Sequence, residues 1–205
     1  MAEAKLSPMM EQYVKTKEQY KDCILMYRVG DFFEMFFDDA ILVSKELELV
    51  LTGKECGLEE KAPMAGIPFH AVDNYISKLL SKGYKVAVCD QVEDPKLAKG
   101  LVKREITKIV TPGTNTNVLD LDETKNNYIF CVFGFSSEFG IAVCDVSTGD
   151  FYAMKVNSVR NLINEIQKYT PKELVGNSAL IMASIPEGEL LQRFNLRLQI
   201  ISDTY

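Results

Sequence analysis

The 205-residue chain has no tryptophan, a single histidine and no two cysteines at C-x-x-C spacing. Each absence removes a chemistry. One imidazole, His70, excludes most histidine-dependent triads, and without a second histidine or paired thiols the ligand cluster of a usual zinc site is missing. The cysteines (Cys23, Cys56, Cys89, Cys131, Cys144) are odd in number and four lie inside apolar runs. They read as small core residues of a reducing cytosol, not as a disulfide framework. No apolar run approaches the roughly 18 residues of a membrane span, and Met1-Ala2-Glu3-Ala4-Lys5 lacks the apolar core of a secretory leader, so a cytoplasmic location is expected. Positive charge is not in excess either. With 23 bases against 29 acids the formal charge is −6, so any nucleic-acid binding must be local. What remains, 47% hydrophobic and 25% charged residues, is the balance of one large globular domain or two small ones.

Ser7 followed by Pro8 signals a helix start, and a weakly apolar amphipathic pattern through Met9, Tyr13 and Tyr20 predicts a helix to Asp22. Cys23–Tyr27 reads as a buried strand ended by Gly30-Asp31, and Phe32–Phe37 as a second apolar stretch. Asp38 or Asp39 then offers the cap of a helix to about Leu51, with Ile41, Leu42, Lys45 and Leu49 in helical spacing. Residues 52–62 read as a loop, which Pro63-Met64-Ala65-Gly66-Ile67-Pro68 continues in stiffer form. A helix from Val72 to Ser81 stops at Gly83; Val86–Cys89 and Ile106–Thr111 are strands, the latter ending in the turn Thr111-Pro112-Gly113-Thr114.

Residues 114–127 are polar and nearly free of large core residues, and they mark a domain boundary: residues 1–113, a linker 114–127, and a second domain 128–205. In the second domain Tyr128–Phe135, Gly140–Val146 and Phe151–Val156 suggest an antiparallel meander. A helix over Ser158–Tyr169 then leads to a fourth strand at Glu173–Gly176 beside it. The fold class is α/β (α+β). The chain stops in what looks like the start of another element, as a fragment would.

In an extended Phe32–Phe37, Phe33, Met35 and Phe37 share one face and Phe32, Glu34 and Phe36 the other. The first face is uniformly apolar. The second sets a carboxylate between aromatics, and burying it unpaired would cost several kcal/mol, so that face is either open to a partner or carries Glu34 paired with a lysine. An aromatic at the tip of a turn can act as an apolar wedge between base steps, with a hydrogen-bonding group two residues on to touch the displaced base.

The string Met26-Tyr27-Arg28-Val29-Gly30-Asp31-Phe32-Phe33-Glu34-Met35-Phe36-Phe37-Asp38-Asp39-Ala40 resembles the start of the MutS family of bacterial DNA mismatch-repair proteins. So do Pro63–Tyr75, Asp90-Gln91-Val92-Glu93-Asp94-Pro95 and Ile109-Val110-Thr111-Pro112-Gly113-Thr114, in the same order. Residues 128–205 are similar in pattern to the first part of the family's connector, without a sharp motif. Phe33 and Phe69 stand where tyrosines are common. The resemblance implies a mixed-sheet mismatch-recognition domain followed by a truncated ribonuclease-H-like connector. It further implies that Phe32 stacks as a wedge in the minor groove at mispairs and small loops of double-stranded DNA while Glu34 contacts the base. For the parent protein it implies ATP and magnesium binding, a homodimer, a downstream MutL-like partner at the connector and a nucleoid-associated place in the cytoplasm.

Phosphate contacts must come from elsewhere. Lys96, Lys99, Lys103, Arg104 and Lys108 against Glu105 make a local charge of +4, a backbone grip or simply a solvated basic stretch. The loop carrying Met64, Pro68, Phe69 and His70 is placed beside the wedge, its prolines keeping it rigid. For His70 a structural hydrogen bond near a helix start stands beside the DNA contact. No G-x-x-x-x-G-K-[ST] phosphate loop occurs, so no enzyme activity, cofactor or metal is expected of this fragment. The enzymatic alternative is a two-metal nuclease on Asp145, Asp150 and Glu165; a third reading is a protein-interaction module.

Overall fold

A run of apolar and aromatic side chains punctuated by Gly30-Asp31 folds back on itself in the computed structural model. Strands β1 (Cys23–Val29) and β2 (Phe32–Phe36) form an antiparallel hairpin with Tyr27 opposite Glu34 and Val29 opposite Phe32. The two-residue turn demands a positive φ, which Gly30 adopts at 58°. The structure describes residues 5–93, 98, 100–115, 126–135, 138–177, 185 and 187–201. It divides into two compact units, Met1–Val110 and Thr111–Tyr205.

In the first unit the hairpin is the centre of a six-stranded mixed sheet of order β3-β4-β2-β1-β5-β6, where β3 is Thr52–Lys54, β4 Ala62–Pro68, β5 Lys85–Gln91 and β6 Arg104–Val110. Only the β1–β5 pairing is parallel. Strand alternation sends Ile24, Met26, Phe33, Met35, Ile67 and Val86 into one core, closed by Ala40 and Val43 of α2 (Phe37–Leu47) and Ile76 and Leu79 of α3 (Val72–Ser81). The opposite face carries Leu25, Tyr27, Phe36, Ala87 and Cys89, and α1 (Pro8–Gln19) closes it with Met10 and Tyr13. Each of these larger side chains gains about 1.5–3 kcal/mol by leaving water.

Several expectations are corrected. Helix α1 ends at Gln19, not Asp22, and although its pattern is weakly apolar, Met10 and Tyr13, one turn apart, are buried, with Met9 and Val14 partly buried against the same core. Helix α2 starts at Phe37, in a left-handed conformation (φ 52°), and ends at Leu47; neither Asp38 nor Asp39 caps it. Asp39 is instead buried, accepting the Leu25 N–H, and Ile41 is exposed because the buried stripe runs through Ala40 and Val43. Residues 52–62 are not all loop: Thr52–Lys54 is an edge strand. The proline-flanked 63–68 stretch is a strand between β3 and β2, since proline pushes Ala62 and Ile67 into the extended geometry that a strand requires. Strand β6 begins two residues before Ile106. Helix α3 and strand β5 form where expected, with Gly83 (φ 81°) after the helix.

The second unit opens with the meander as expected: β7 (Tyr128–Phe135), β8 (Glu138–Asp145) and β9 (Phe151–Val156). Helix α4 (Val159–Tyr169) is capped by the Ser158 hydroxyl, which accepts the Asn161 N–H. It leads to β10 (Glu173–Asn177), parallel to β7, and α5 (Glu187–Phe194) leads on to β11 (Leu198–Ile201), parallel to β10. Phe130, Val132, Ile141, Val143, Leu162, Ile166 and Leu174 form its core. The Thr111–Thr114 turn is bonded within this unit: the buried Glu173 carboxylate accepts from the Thr111 hydroxyl (2.6 Å) and the Gly113 N–H (3.0 Å). Residues 116–125 of the expected linker lie outside the described residues. The fold class is mixed α/β, and among the described residues no helix is long and apolar enough to cross a membrane.

Candidate nucleic-acid interface

The end of the β1–β2 hairpin is built as a braced projection. Phe32, the first residue after the turn, is 47% exposed, whereas Phe33 beside it is 3% exposed. Alternation alone produces this difference: one ring enters the core and the next leaves it. Arg28 braces the turn, its Nε donating to the Gly30 carbonyl while its guanidinium lies 4.3 Å from the Phe69 ring centroid and 5.5 Å from that of Phe33. The Phe69 N–H donates to the Asp31 carbonyl (2.9 Å), tying the end of β4 to the same turn. Phe69 and His70 are exposed, with the His70 ring edge-on to Phe69. Pro68 lies directly opposite Phe32, and Met64 opposite Phe36.

The face shared by Phe32, Glu34 and Phe36 is open only at one end. Phe36 is buried, its ring 4.8 Å from that of Tyr13, so the expectation of an open face fails there because α1 covers it. Glu34 accepts a hydrogen bond from the Lys54 ammonium, which realises the lysine-paired alternative, and its side chain is 12% exposed. Gly66 stands opposite Glu34 and puts no side chain of its own beside the carboxylate; the atoms nearest a Cβ built there are Glu34 Cγ at 3.7 Å, Met64 Sδ at 3.8 Å and the Phe33 carbonyl oxygen at 3.8 Å.

The basic stretch is dispersed. Lys96 and Lys99 lie outside the described residues. Lys103 is exposed and paired with Glu105 at 2.6 Å, and Lys108 is exposed on the edge strand β6. Arg104 is half-buried and directs its donors to the Arg28 and Val102 carbonyls, so it holds the ends of β1 and β6 together. Arg28 and Lys54 are the residues that sequence reasoning left without a role. Arg28 sits inside the quoted hairpin string, but only the register shows that it reaches Phe69.

The metal-site alternative finds no support in the geometry. Asp145 ends β8, but its oxygens accept from the Asn127 N–H (2.7 Å) and from the Ser147 N–H and hydroxyl (2.9 and 2.6 Å). Burial pushes this carboxyl up, and those bonds, with one from the Thr148 backbone, outweigh it and hold it below the usual carboxylate range. Glu165 pairs with Lys168 within α4, and among the described residues no three His, Cys, Asp or Glu side chains cluster as a metal site would require. The five thiols are free, and burial pushes those of Cys23 and Cys89 up to about 11, which leaves them protonated and inert.

The first unit is thus a mixed α/β domain that presents a braced, aromatic-tipped hairpin with a carboxylate two residues behind the tip. Comparison with known proteins identifies the family: the models described as MutS domain I and MutS domain II match residues 7–118 and 127–203, and the chain belongs to the MutS family. It is 56% identical over 202 residues to the DNA mismatch repair protein MutS of Lachnoclostridium phytofermentans, covering 98% of this chain and 22% of that protein. It is 54% identical over 202 residues to the protein of the same name from Ruminiclostridium cellulolyticum, covering 97% and 23%. The chain therefore spans under a quarter of the length of these relatives.

Proposed function

We propose that this chain is the mismatch-recognition end of a DNA mismatch-repair protein, with Phe32 as the wedge and Glu34 as the base contact in the minor groove. The observation that carries the reading is the half-exposed ring of Phe32 on a turn braced by Arg28 and Phe69. Unstacking a base step costs a few kcal/mol and less at a mispair, so a rigid ring pressed against the groove tests local deformability. Rigidity matters because a floppy tip would spend that difference on its own ordering. Pro68, Phe69 and His70 flank the groove beside the wedge, Met64 supports the strand behind it, and Lys96, Lys99, Lys103, Arg104 and Lys108 supply phosphate contacts or hold those that do. In the same reading the fragment itself catalyses nothing. ATP and magnesium are bound, and the dimer is formed, by the remainder of the parent protein, and the second unit meets a MutL-like partner.

The test is fluorescence anisotropy of the full-length protein on mispaired and matched duplexes at one fixed salt concentration. Replacing Phe32 by alanine is expected to lower the mispaired-over-matched affinity ratio by about tenfold or more, the worth of one aromatic stacked on a base. A ratio unchanged by the substitution, or an equal loss on both duplexes, sinks the assignment.

A further inference from the structure

We propose that Lys54 is a positioning residue for mispair discrimination, one that pins the Glu34 carboxylate and neutralises it on the face that meets DNA. This rests on the reading of Phe32 and Glu34 given above. A side chain only 12% exposed and carrying a carboxylate needs a partner, and the residues directly opposite it on the two adjacent strands do not provide one. Gly66, opposite it on β4, has no side chain, and Tyr27, opposite it on β1, gives its hydroxyl to Gln12 at 2.7 Å. Lys54 comes instead from β3, the edge strand, and its ammonium passes 5.7 Å from the centroid of the Phe36 ring to reach Glu34 Oε2. The buried Phe36 ring beside the cation adds a cation–π attraction to the hydrogen bond.

Two consequences make Lys54 more than a surface ion-pair partner. The carboxylate is held by the ammonium, opposite a residue, Gly66, that carries no side chain, and so has less rotamer entropy to lose when it contacts a base. An anion brought among phosphates is repelled over a Debye length of about 10 Å at 0.1 M salt, and the ammonium in direct contact cancels that repulsion. Without Lys54, Glu34 enters the groove both loosely held and uncompensated.

The experiment is a double-mutant cycle on the full-length protein, read as the mispaired-over-matched affinity ratio in anisotropy. Lys54→Met is expected to lower the ratio about fivefold or more, about 1 kcal/mol at about 1.4 kcal/mol per tenfold and within the net range of a hydrogen bond. Lys54→Arg should keep it within about twofold by preserving the pair. In a Glu34→Gln background, where there is no charge to hold, Lys54→Met should change the ratio by less than about twofold. A loss of stability alone would reduce binding to both duplexes and would not separate the two backgrounds. Equal effects of Lys54→Met in both backgrounds, or a ratio unaffected in either, overturn the proposal. Phe32→Ala is measured alongside. If it abolishes discrimination while Lys54→Met does not, Lys54 alone is misassigned; if discrimination survives Phe32→Ala, the wedge reading falls and this proposal with it.

Discussion

At the scale of single residues, exposure separates side chains that hold the fold from those that meet a partner. Asp39 reads in the sequence as a helix cap, yet it is 7% exposed and gathers the Leu25 N–H (3.0 Å), the Tyr13 hydroxyl (3.4 Å) and the Lys17 ammonium (2.9 Å). Burial, and after it the Asp39 charge, pushes the Tyr13 hydroxyl far above its ordinary range, so this tyrosine stays protonated and donates. Asp39→Ala strips a buried N–H and a partly buried ammonium of their acceptor at once. The expected loss is on the order of 3 kcal/mol in urea unfolding. Asp39→Asn should cost less, because an amide oxygen still accepts from Leu25. Phe32→Ala makes the contrast: removing a half-exposed ring should move stability by no more than about 0.5 kcal/mol, so its effect on discrimination can be read without a folding correction.

At the scale of elements, what was legible followed the reach of the signal. Helices α3 and α4 and strands β5 and β7 to β10 announce themselves through local periodicity and local stops, and they lie where Val72, Gly83, Ser158 and the Ser147–Asp150 turn place them. Strands β3 and β4 were hidden because a three-residue edge strand has no period and two prolines mimic a loop; β4 becomes a strand by pairing with the distant β2, from Phe36–Met64 to Phe32–Pro68, and β3 by pairing with β4. The same loss hid the candidate site's second half. Phe32 was readable from alternation, but the Glu34–Lys54 pair depends on β3 existing at all. The Thr111–Thr114 turn was legible as a turn and not as a docked one. A Cβ on Gly113 would run into Ile129 Cγ1 and stand 2.9 Å from Glu173 Oε2, so Gly113→Ala should destabilise the second unit by about 1–3 kcal/mol through overpacking. Hydrogen exchange in β7 and β10 checks this: faster exchange there, with β1 unchanged, is the expected pattern.

At the scale of the whole molecule, two units with separate cores should lose structure in separate transitions, and acid should distinguish them. The second unit contains Asp145, 1% exposed and held below the usual carboxylate range in the folded state despite its burial, by hydrogen bonds that the unfolded chain lacks. Because the folded value lies below the unfolded one, near 3.9, the unfolded chain binds the proton more readily. The stabilisation is therefore complete above pH about 4 and is lost as pH falls through the folded value. Among carboxylates of the first unit, Asp22 and Glu46 are also lowered, first by their hydrogen bonds with Lys85 and Lys82, but the Asp22 side chain is 67% exposed and the Lys82 that pairs with Glu46 is 45% exposed, so solvent screens most of both effects. Thermal unfolding followed by hydrogen exchange between pH 5 and pH 2.5 should thus show the β7–β9 transition moving down steeply. In Asp145→Asn, which carries no titrating group at that site, the same transition should start lower at pH 5 and move less. Equal slopes in the two proteins would mean that Asp145 contributes nothing to the acid sensitivity, and that the bonds from Asn127 and Ser147 hold the neutral acid as well as the anion.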